Sequence, residues 1–270
     1  MSNAALARQY NAQSLERGLF VLAHLRDAPQ TELSLAEIAN GVGLSKSTVH
    51  RLLATLVRHD YVAQDPATKR YRLGLAFLSF GHRVVERLEV RRHALRVMRA
   101  LAEETGEAVH LNVLAGTGAL CVEEVVGPNG ATLGSNVGVV LPLHAVATGK
   151  CFLAWMDEPA RSALLDRLDF APITDHTIRD RATLEAELAR VRQRGYAVND
   201  EETYPGVRYT AAPVFDAQGD VAAAISLGAP VIRASPADLP RMGAQIVRAA
   251  DRISASLGFG PALRAGTLRR

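Results

Sequence analysis

The first quarter of the chain carries apolar residues at helical spacing. Leu15, Leu19, Leu22 and Leu25 recur every three or four positions and predict an amphipathic helix over 14–26, which Ser14 can cap and Pro29 ends. SLAEIAN (34–40) predicts a short second helix, with Ser34 three residues before Glu37 at the spacing of a capping box. Gly41-Val42-Gly43 breaks it. Ser45 opens a third helix with the stripe Val49, Leu52, Leu53, Leu56 and Val57, and with Lys46, Ser47, His50, Arg51 and Thr55 on the other face. The period then drops to two. Residues 61–64 and 70–73 alternate as strands about the turn at Asp65-Pro66, which predicts a hairpin with Lys69 and Arg70 at its tip. Residues 75–104 lack proline and predict a long helix studded with Arg83, Arg87, Arg91, Arg92, Arg96 and Arg99, with Gly81 as a place to bend.

From about residue 106 the pattern changes. AVHLNVLAG and ALCVEEVVG predict two strands about Gly116-Thr117-Gly118. Helices follow over 145–156, 159–168 and 181–195, then strands over 196–199, 209–215 and 221–227, the last two joined at Ala217-Gln218-Gly219-Asp220. A helix over 236–257 closes the pattern. Antiparallel strands with helices grouped between them indicate an α+β domain. The pattern divides the chain into a DNA-binding candidate at 10–74, a linker helix and dimer seam at 75–104, an α+β domain at 105–258 and a flexible basic tail at 259–270.

Length and composition narrow the classes. At about 100–200 residues per domain, 270 residues suggest two domains. With 48% hydrophobic and 22% charged residues, a disordered or collagen-like chain is excluded. The uncharged stretch Gly127 to Gly149 is broken by prolines, glycines and asparagines, so no membrane span is expected. The start lacks the apolar core of a secretory signal. Two cysteines, Cys121 and Cys151, make neither a disulfide framework nor a thiolate metal site. A cytoplasmic protein with no cofactor and no metal is the expectation. Charge is uneven: residues 1–99 carry 15 Lys/Arg against 8 Asp/Glu, and residues 100–270 carry 16 against 20. A basic front half suits a polyanionic partner.

Three helices followed by a hairpin make a winged helix-turn-helix. The major groove admits one α-helix, and short polar residues near the helix start reach base edges. Ser45, Lys46, Ser47, Thr48, His50 and Arg51 meet that need, and Lys69 and Arg70 on the wing would meet phosphate or the minor groove. Composition alone leaves a protein-interaction module open.

The segment LSLAEIANGVGLSKSTVHRLLATLVRHDYVAQDPATKRYRLG resembles the DNA-binding half of the IclR family of bacterial transcription regulators. LPLHAVATGKCFLAW (141–155) and RGYAVNDEETYPGVRYTAAPVFDAQGDVAAAISLGAP (194–230) resemble two later stretches of that family, and the likeness spans about residues 12–258. The resemblance implies a winged helix-turn-helix, a linker helix and a GAF-like effector domain, in a dimer or tetramer that binds a palindromic operator near catabolic genes. It implies that the amides of Ala147 and Thr148 hold an effector carboxylate, as an open helix start can. It places Val207 on the pocket wall, and Asn199, Tyr209, Ser226 and Gly228 at positions of polar contact in members responding to small 2-oxo acids. Those members carry an acid at the position of Asn199, a cysteine at Tyr209 and a serine at Gly228. The departures imply a reshaped pocket and a different carboxylate, an aromatic one among the candidates. Tyr209 either stacks on the ligand or fills the space itself.

Enzyme readings find little support. Gly149-Lys150 is followed by Cys151, so the nucleotide-loop pattern fails, and no G-x-S-x-G elbow occurs. His110, His144 and His176 are far apart in sequence, and adjacent Glu123 and Glu124 on a strand should face opposite ways. The expectation is a ligand-responsive regulator, a repressor rather than an enzyme. The alternatives are an enzyme with a DNA-binding appendage and a constitutive DNA-organising protein.

Overall fold

The computed structural model describes residues 12–130 and 136–260. The chain divides into two units, Met1–Arg87 and Leu88–Arg270. Residues 10 and 11 of the first expected domain and residues 261–270 of the expected tail lie outside the described residues.

The first unit holds α1 (Gln13–Asp27), α2 (Leu35–Val42), α3 (Lys46–Arg58), β1 (Val62–Gln64), β2 (Tyr71–Leu73) and α4 (Ala76–Glu86). The predicted stripes converge: Val21 and Leu25 of α1, Ile38 and Ala39 of α2, and Val49 and Leu53 of α3 form one core with Leu33, Val62 and Tyr71. Ser34 and Glu37 form the expected reciprocal capping box, and the Ser45 hydroxyl accepts from the Thr48 amide. Helix α1 starts earlier than expected: its N-cap is Ala12, which offers no side-chain bond, and Ser14 lies inside the helix. β1 and β2 pair antiparallel, and Leu33 adds a bridge to Tyr71.

The expected long helix over 75–104 is two helices. α4 ends at Glu86 and α5 (Glu89–Thr105) begins three residues on; Gly81 bends nothing. The physical reason is Leu88, which adopts an extended conformation and packs on the core of the second unit.

The second unit is built on a six-stranded antiparallel sheet in the order β5-β4-β3-β8-β7-β6. Its strands are β3 (Ala108–Ala115), β4 (Gly118–Val125), β5 (Val140–Pro142), β6 (Ala197–Asp200), β7 (Val207–Phe215) and β8 (Val221–Pro230). Its remaining helices are α6 (Ala147–Trp155), α7 (Glu158–Leu165), α8 (Arg181–Arg194) and α9 (Leu239–Ser256). Strand side chains alternate between two cores. Val109, Leu111, Ile225 and Leu227 pack with Met98 and Leu101 of α5 and Ile246 and Ile253 of α9. On the other face Ala119, Ala211 and Ala224 meet Cys151, Phe152 and Leu153 of α6, with Leu184 and Leu188 of α8 behind. This is the predicted α+β arrangement, with one short edge strand, β5, that the sequence pattern did not reveal.

Two glycines are dictated by contact. A Cβ on Gly149 would stand 2.3–2.7 Å from the Leu143 backbone, so glycine lets α6 lie against the preceding turn. A Cβ on Gly228 would stand 2.3 Å from the Tyr209 ring. Among the described residues no helix is long and apolar enough to cross a membrane.

Leu53 is fully buried at the centre of the first unit. Leu53→Ala is expected to destabilise that unit by about 2–5 kcal/mol, the range for a large-to-small change in a close-packed core. Urea unfolding followed by circular dichroism checks it.

Candidate functional site

In the first unit the N-terminal face of α3 is open. Ser45, Lys46, Ser47, His50 and Arg51 are exposed and Thr48 is half-buried. The Ser45 oxygen lies 3.0 Å from the Ser47 hydroxyl and 2.9 Å from that of Thr48, so three small hydroxyls form one patch. The wing turn is held by Asp65 Oδ1, which accepts from the amides of Ala67 and Thr68 and from the Thr68 hydroxyl. Lys69 is exposed on that turn. Arg70 turns the other way: its guanidinium donates to the Glu32 carbonyl and, at 2.9 Å, to Glu37 Oε2. The structure thus gives Arg70 a role in tying the wing to the start of α2, where the sequence reading put it at the tip.

In the second unit a cavity opens at the start of α6. The space within and in front of it, open solvent included, is ≈ 490 Å³. The wall includes Val139, Leu141, Val146, Ala147 and Thr148 on one side and His110, Asn112, Cys121 and Ser226 on the sheet. Asn136, Asn199, Thr203, Tyr204 and Tyr209 complete it. Of the seven expected effector residues, Ala147, Thr148, Asn199, Tyr209 and Ser226 are on this wall; Val207 and Gly228 are not among its lining residues.

Why α6 begins here follows from the chain. Val146 is the N-cap, extended at φ −121° and ψ 143°, and it supplies no side-chain bond. Ala147 and Thr148 are 3% and 4% exposed, and among the described residues no acceptor faces their amides. The first N–H groups of any helix lack partners within it, and a buried helix start without a cap is an anion site by its dipole and its donors.

The turn before α6 is locked from below. The Ala145 carbonyl accepts from Asn199 Nδ2 at 2.7 Å and from the Thr203 hydroxyl at 2.5 Å, and Asn199 Oδ1 accepts from the Glu202 amide. The Asn199 amide is therefore spent on the frame, leaving none of it for a ligand. Lys150, 1% exposed, donates to the Val198 carbonyl at 2.8 Å and to Glu202 Oε1 at 2.5 Å. Burial pushes the Glu202 carboxyl up against the opposing pull of Lys150.

The sheet wall holds a polar group that sequence reasoning passed over. His110 Nε2 lies 3.1 Å from Glu124 Oε1, and Asn136 donates to the same carboxylate through Nδ2 at 2.8 Å and its backbone amide at 3.0 Å. The hydrogen bonds from His110 and Asn136 hold the Glu124 carboxyl down at about 2. A β-bulge opposite Leu111 and Asn112 brings this about. Cys121 lines the cavity and Val122 packs on the opposite core. Glu123 pairs with Arg91 of α5, and Glu124 then returns to the cavity face. The signal in the sequence was His110 and Asn112, two polar residues two apart on a strand whose every face is buried. Burial pushes the Cys121 thiol up to about 12 and raises the Tyr209 phenol, so both stay neutral. Among the described residues no group of three or more His, Cys, Asp or Glu could hold a metal ion.

A family model for the C-terminal part of the bacterial transcriptional regulator IclR matches residues 82–255, and the IclR helix-turn-helix domain matches residues 14–66. The chain belongs to the IclR family. It is 37% identical over 247 residues to the HTH-type transcriptional regulator XynR of Escherichia coli (strain K12), covering 92% of this chain and 98% of that protein. The crystal structure of an IclR transcriptional regulator from Alicyclobacillus acidocaldarius matches with a TM-score of 0.77 and 30% identity, over 93% of this chain and 100% of that one. An IclR homolog from Microbacterium hydrocarbonoxydans complexed with 4-hydroxybenzoate shares the fold, with a TM-score of 0.75 and 23% identity over 90% of this chain and 98% of that one. As an IclR regulator the chain is a DNA-binding protein of transcription, with a winged helix-turn-helix and a GAF-like second domain.

Two of its departures from the family pattern are one event. Tyr209 and Gly228 are cross-strand partners, and the tyrosine ring lies over the glycine. Gly228 therefore does not enlarge the cavity; the ring takes the space. Gly228→Ser is expected to destabilise the domain by about 1–3 kcal/mol through overpacking, and Tyr209→Cys in the same chain should recover part of the loss. A double-mutant cycle by urea unfolding measures the coupling.

Glu124 gives a second expectation. Its carboxyl is held down from an ordinary 4.5 to about 2, so it stabilises the fold above about pH 4.5 and that contribution is lost as pH falls towards 2. Glu124→Gln should be less stable than the wild type at pH 7, and the gap should close across that acid window. Urea midpoints against pH read it.

Proposed function

We propose that this chain is a repressor of a catabolic operon whose affinity for a palindromic operator is set by a small carboxylate bound in the second unit. The observation that carries the reading is the buried, uncapped start of α6 opening into a cavity. The carboxylate sits on the amides of Ala147 and Thr148, with Ser226 and Tyr209 on the opposite wall. The aromatic edge that Tyr209 presents to His110, with ring centroids 6.0 Å apart, favours a ligand with a ring. The 4-hydroxybenzoate held by a protein of this fold supports the same class.

Ser45, Lys46, Ser47, Thr48, His50 and Arg51 read the operator, and Lys69 meets the backbone beside it. Arg70 is left out of that set because of its bonds to Glu37 and Glu32. The chain acts as a homodimer or homotetramer in the cytoplasm; Leu75, Leu78, Phe80 and Val84, all exposed on or beside α4, supply apolar surface for a second copy. A coupling of about 1–3 kcal/mol between ligand and operator is enough to change operator affinity about 5–150-fold.

The test begins with thermal shift of the purified protein against aliphatic and aromatic carboxylates, followed by binding to a pool of genomic DNA fragments with and without each hit. A hit that changes fragment binding supports the reading; carboxylates that neither bind nor alter it sink it. Ala147→Pro removes the first amide, and the extended Val146 before it is the backbone that a proline accepts. This variant should lose carboxylate affinity about tenfold or more, read by calorimetry. Arg51→Ala should weaken operator binding by about 1–3 kcal/mol and leave carboxylate binding as it is.

A further inference from the structure

Among the described residues of the cavity wall, one buried side-chain nitrogen has no hydrogen-bond partner. His110 is 7% exposed and lines the cavity, and its Nδ1 has no hydrogen-bond partner. Its other nitrogen, Nε2, faces Glu124 Oε1 at 3.1 Å. An ionised carboxylate only accepts, so Nε2 must carry the proton. Asn136 donates twice to the carboxylate, and its Nδ2 also lies 3.3 Å from His110 Nε2, so the three groups form one cluster. In its uncharged form the imidazole is thereby held in one tautomer, with the lone pair on Nδ1. An unmet buried acceptor is costly, and it is relieved by a ligand that brings a donor.

Charge sets which donor. Glu124 is a buried anion beside His110, with its side chain 9% exposed. A second carboxylate at this end would meet that charge across a medium of low dielectric. The phenol of Tyr209 and the thiol of Cys121, which face the same space, are kept neutral and offer no positive charge to offset it. The acid end of a ligand therefore belongs at α6, and an uncharged donor belongs at His110.

We propose that His110, positioned by Glu124 and Asn136, is the specificity-determining residue of the cavity, accepting a hydrogen bond from a hydroxyl on a monocarboxylate whose acid end lies on the Ala147 and Thr148 amides. The inference rests on the anion site proposed above. It deepens that reading: the ligand class becomes hydroxylated monocarboxylates, with dicarboxylates excluded by Glu124.

The experiment compares matched probes by titration calorimetry at pH 8. One set is 4-hydroxybenzoate, 4-methylbenzoate and terephthalate; the other is 4-hydroxybutyrate, pentanoate and glutarate. Each set keeps its frame and exchanges one end group for hydroxyl, methyl or carboxylate. In at least one set the hydroxyl compound should bind about tenfold tighter than the methyl compound, and the dicarboxylate should bind weakest. His110→Phe should bring the hydroxyl-to-methyl ratio to about one, and His110→Gln, which keeps a carbonyl acceptor, should retain part of it. Glu124→Gln removes the charge and can donate to Nε2, which moves the ring proton to Nδ1; the dicarboxylate should then gain on the hydroxyl compound. Melting of each ligand-free variant checks that it folds.

A wild-type ratio near one in both sets, or a ratio that survives His110→Phe, overturns the inference while leaving the carboxylate site standing. Equal binding of the probes by Ala147→Pro and wild type overturns the anion site, and the hydroxyl ratio still reports on His110. No binding of any probe removes both.

Discussion

Everything in the second unit depends on a sheet whose two faces are both buried. Val109, Leu111, Ile225 and Leu227 point to α5 and α9, and His110, Asn112, Ala224 and Ser226 point to α6 and the cavity. With a side-chain period of two, a slip of one residue between β3 and β8 would bury the histidine and asparagine among methyl groups and turn the leucines to the cavity. Register is therefore fixed by the hydrophobic effect on one side and made useful on the other. The bulge in β4 is a local exception. It spends one extra residue so that Val122 and Glu123 share the α5 face, where Glu123 pairs with Arg91, and Glu124 rather than Glu123 meets His110.

The elements that were legible in the sequence are those with a strong local cause. The capping box at Ser34 and Glu37, the stripe of α3 and the alternation of β3 and β4 each follow from neighbours along the chain. What was hidden depends on partners far away. The break at Leu88 follows from packing on a core that forms with residues over a hundred positions on. β5 has three residues and no pattern of its own. In the site, Ala147, Thr148, Asn199, Tyr209 and Ser226, to which the resemblance gave effector contacts, line the cavity, but the sequence does not show what each has left to offer. Asn199 is committed to Ala145 and Glu202, Arg70 is committed to Glu37, and Tyr209 and Gly228 are a steric pair. Such commitments are properties of contacts between distant residues, which one sequence does not display.

The buried polar groups of this unit sort into two kinds. Lys150, Glu202 Oε1, Asn199 and Thr203 bond to one another and to the turn at Ala145, and so hold the start of α6 in place. A buried ion pair of this kind contributes little net stability, because desolvation offsets most of the attraction. Its effect is geometric. It fixes the backbone whose amides face the cavity, and it does so without using those amides. The second kind is left unmet; the α6 amides and His110 Nδ1 are the members of it on the cavity wall, among the described residues.

Unmet groups have a thermodynamic consequence for the free protein. Each buried donor or acceptor without a partner costs about 1–3 kcal/mol relative to its hydrogen-bonded state. A ligand that partners these groups stabilises whichever arrangement of the unit holds them in place. A ligand shifts an equilibrium only by the difference in its interaction with the two states. An arrangement that displaced α6 from Ala145, or turned Glu124 off His110, would lose that stabilisation. One or two hydrogen bonds present in one arrangement and absent in the other are of the size that couplings between a ligand site and a distant site require. On the function proposed above, the frame that holds the polar groups of the cavity is therefore enough to couple ligand binding to a change of arrangement.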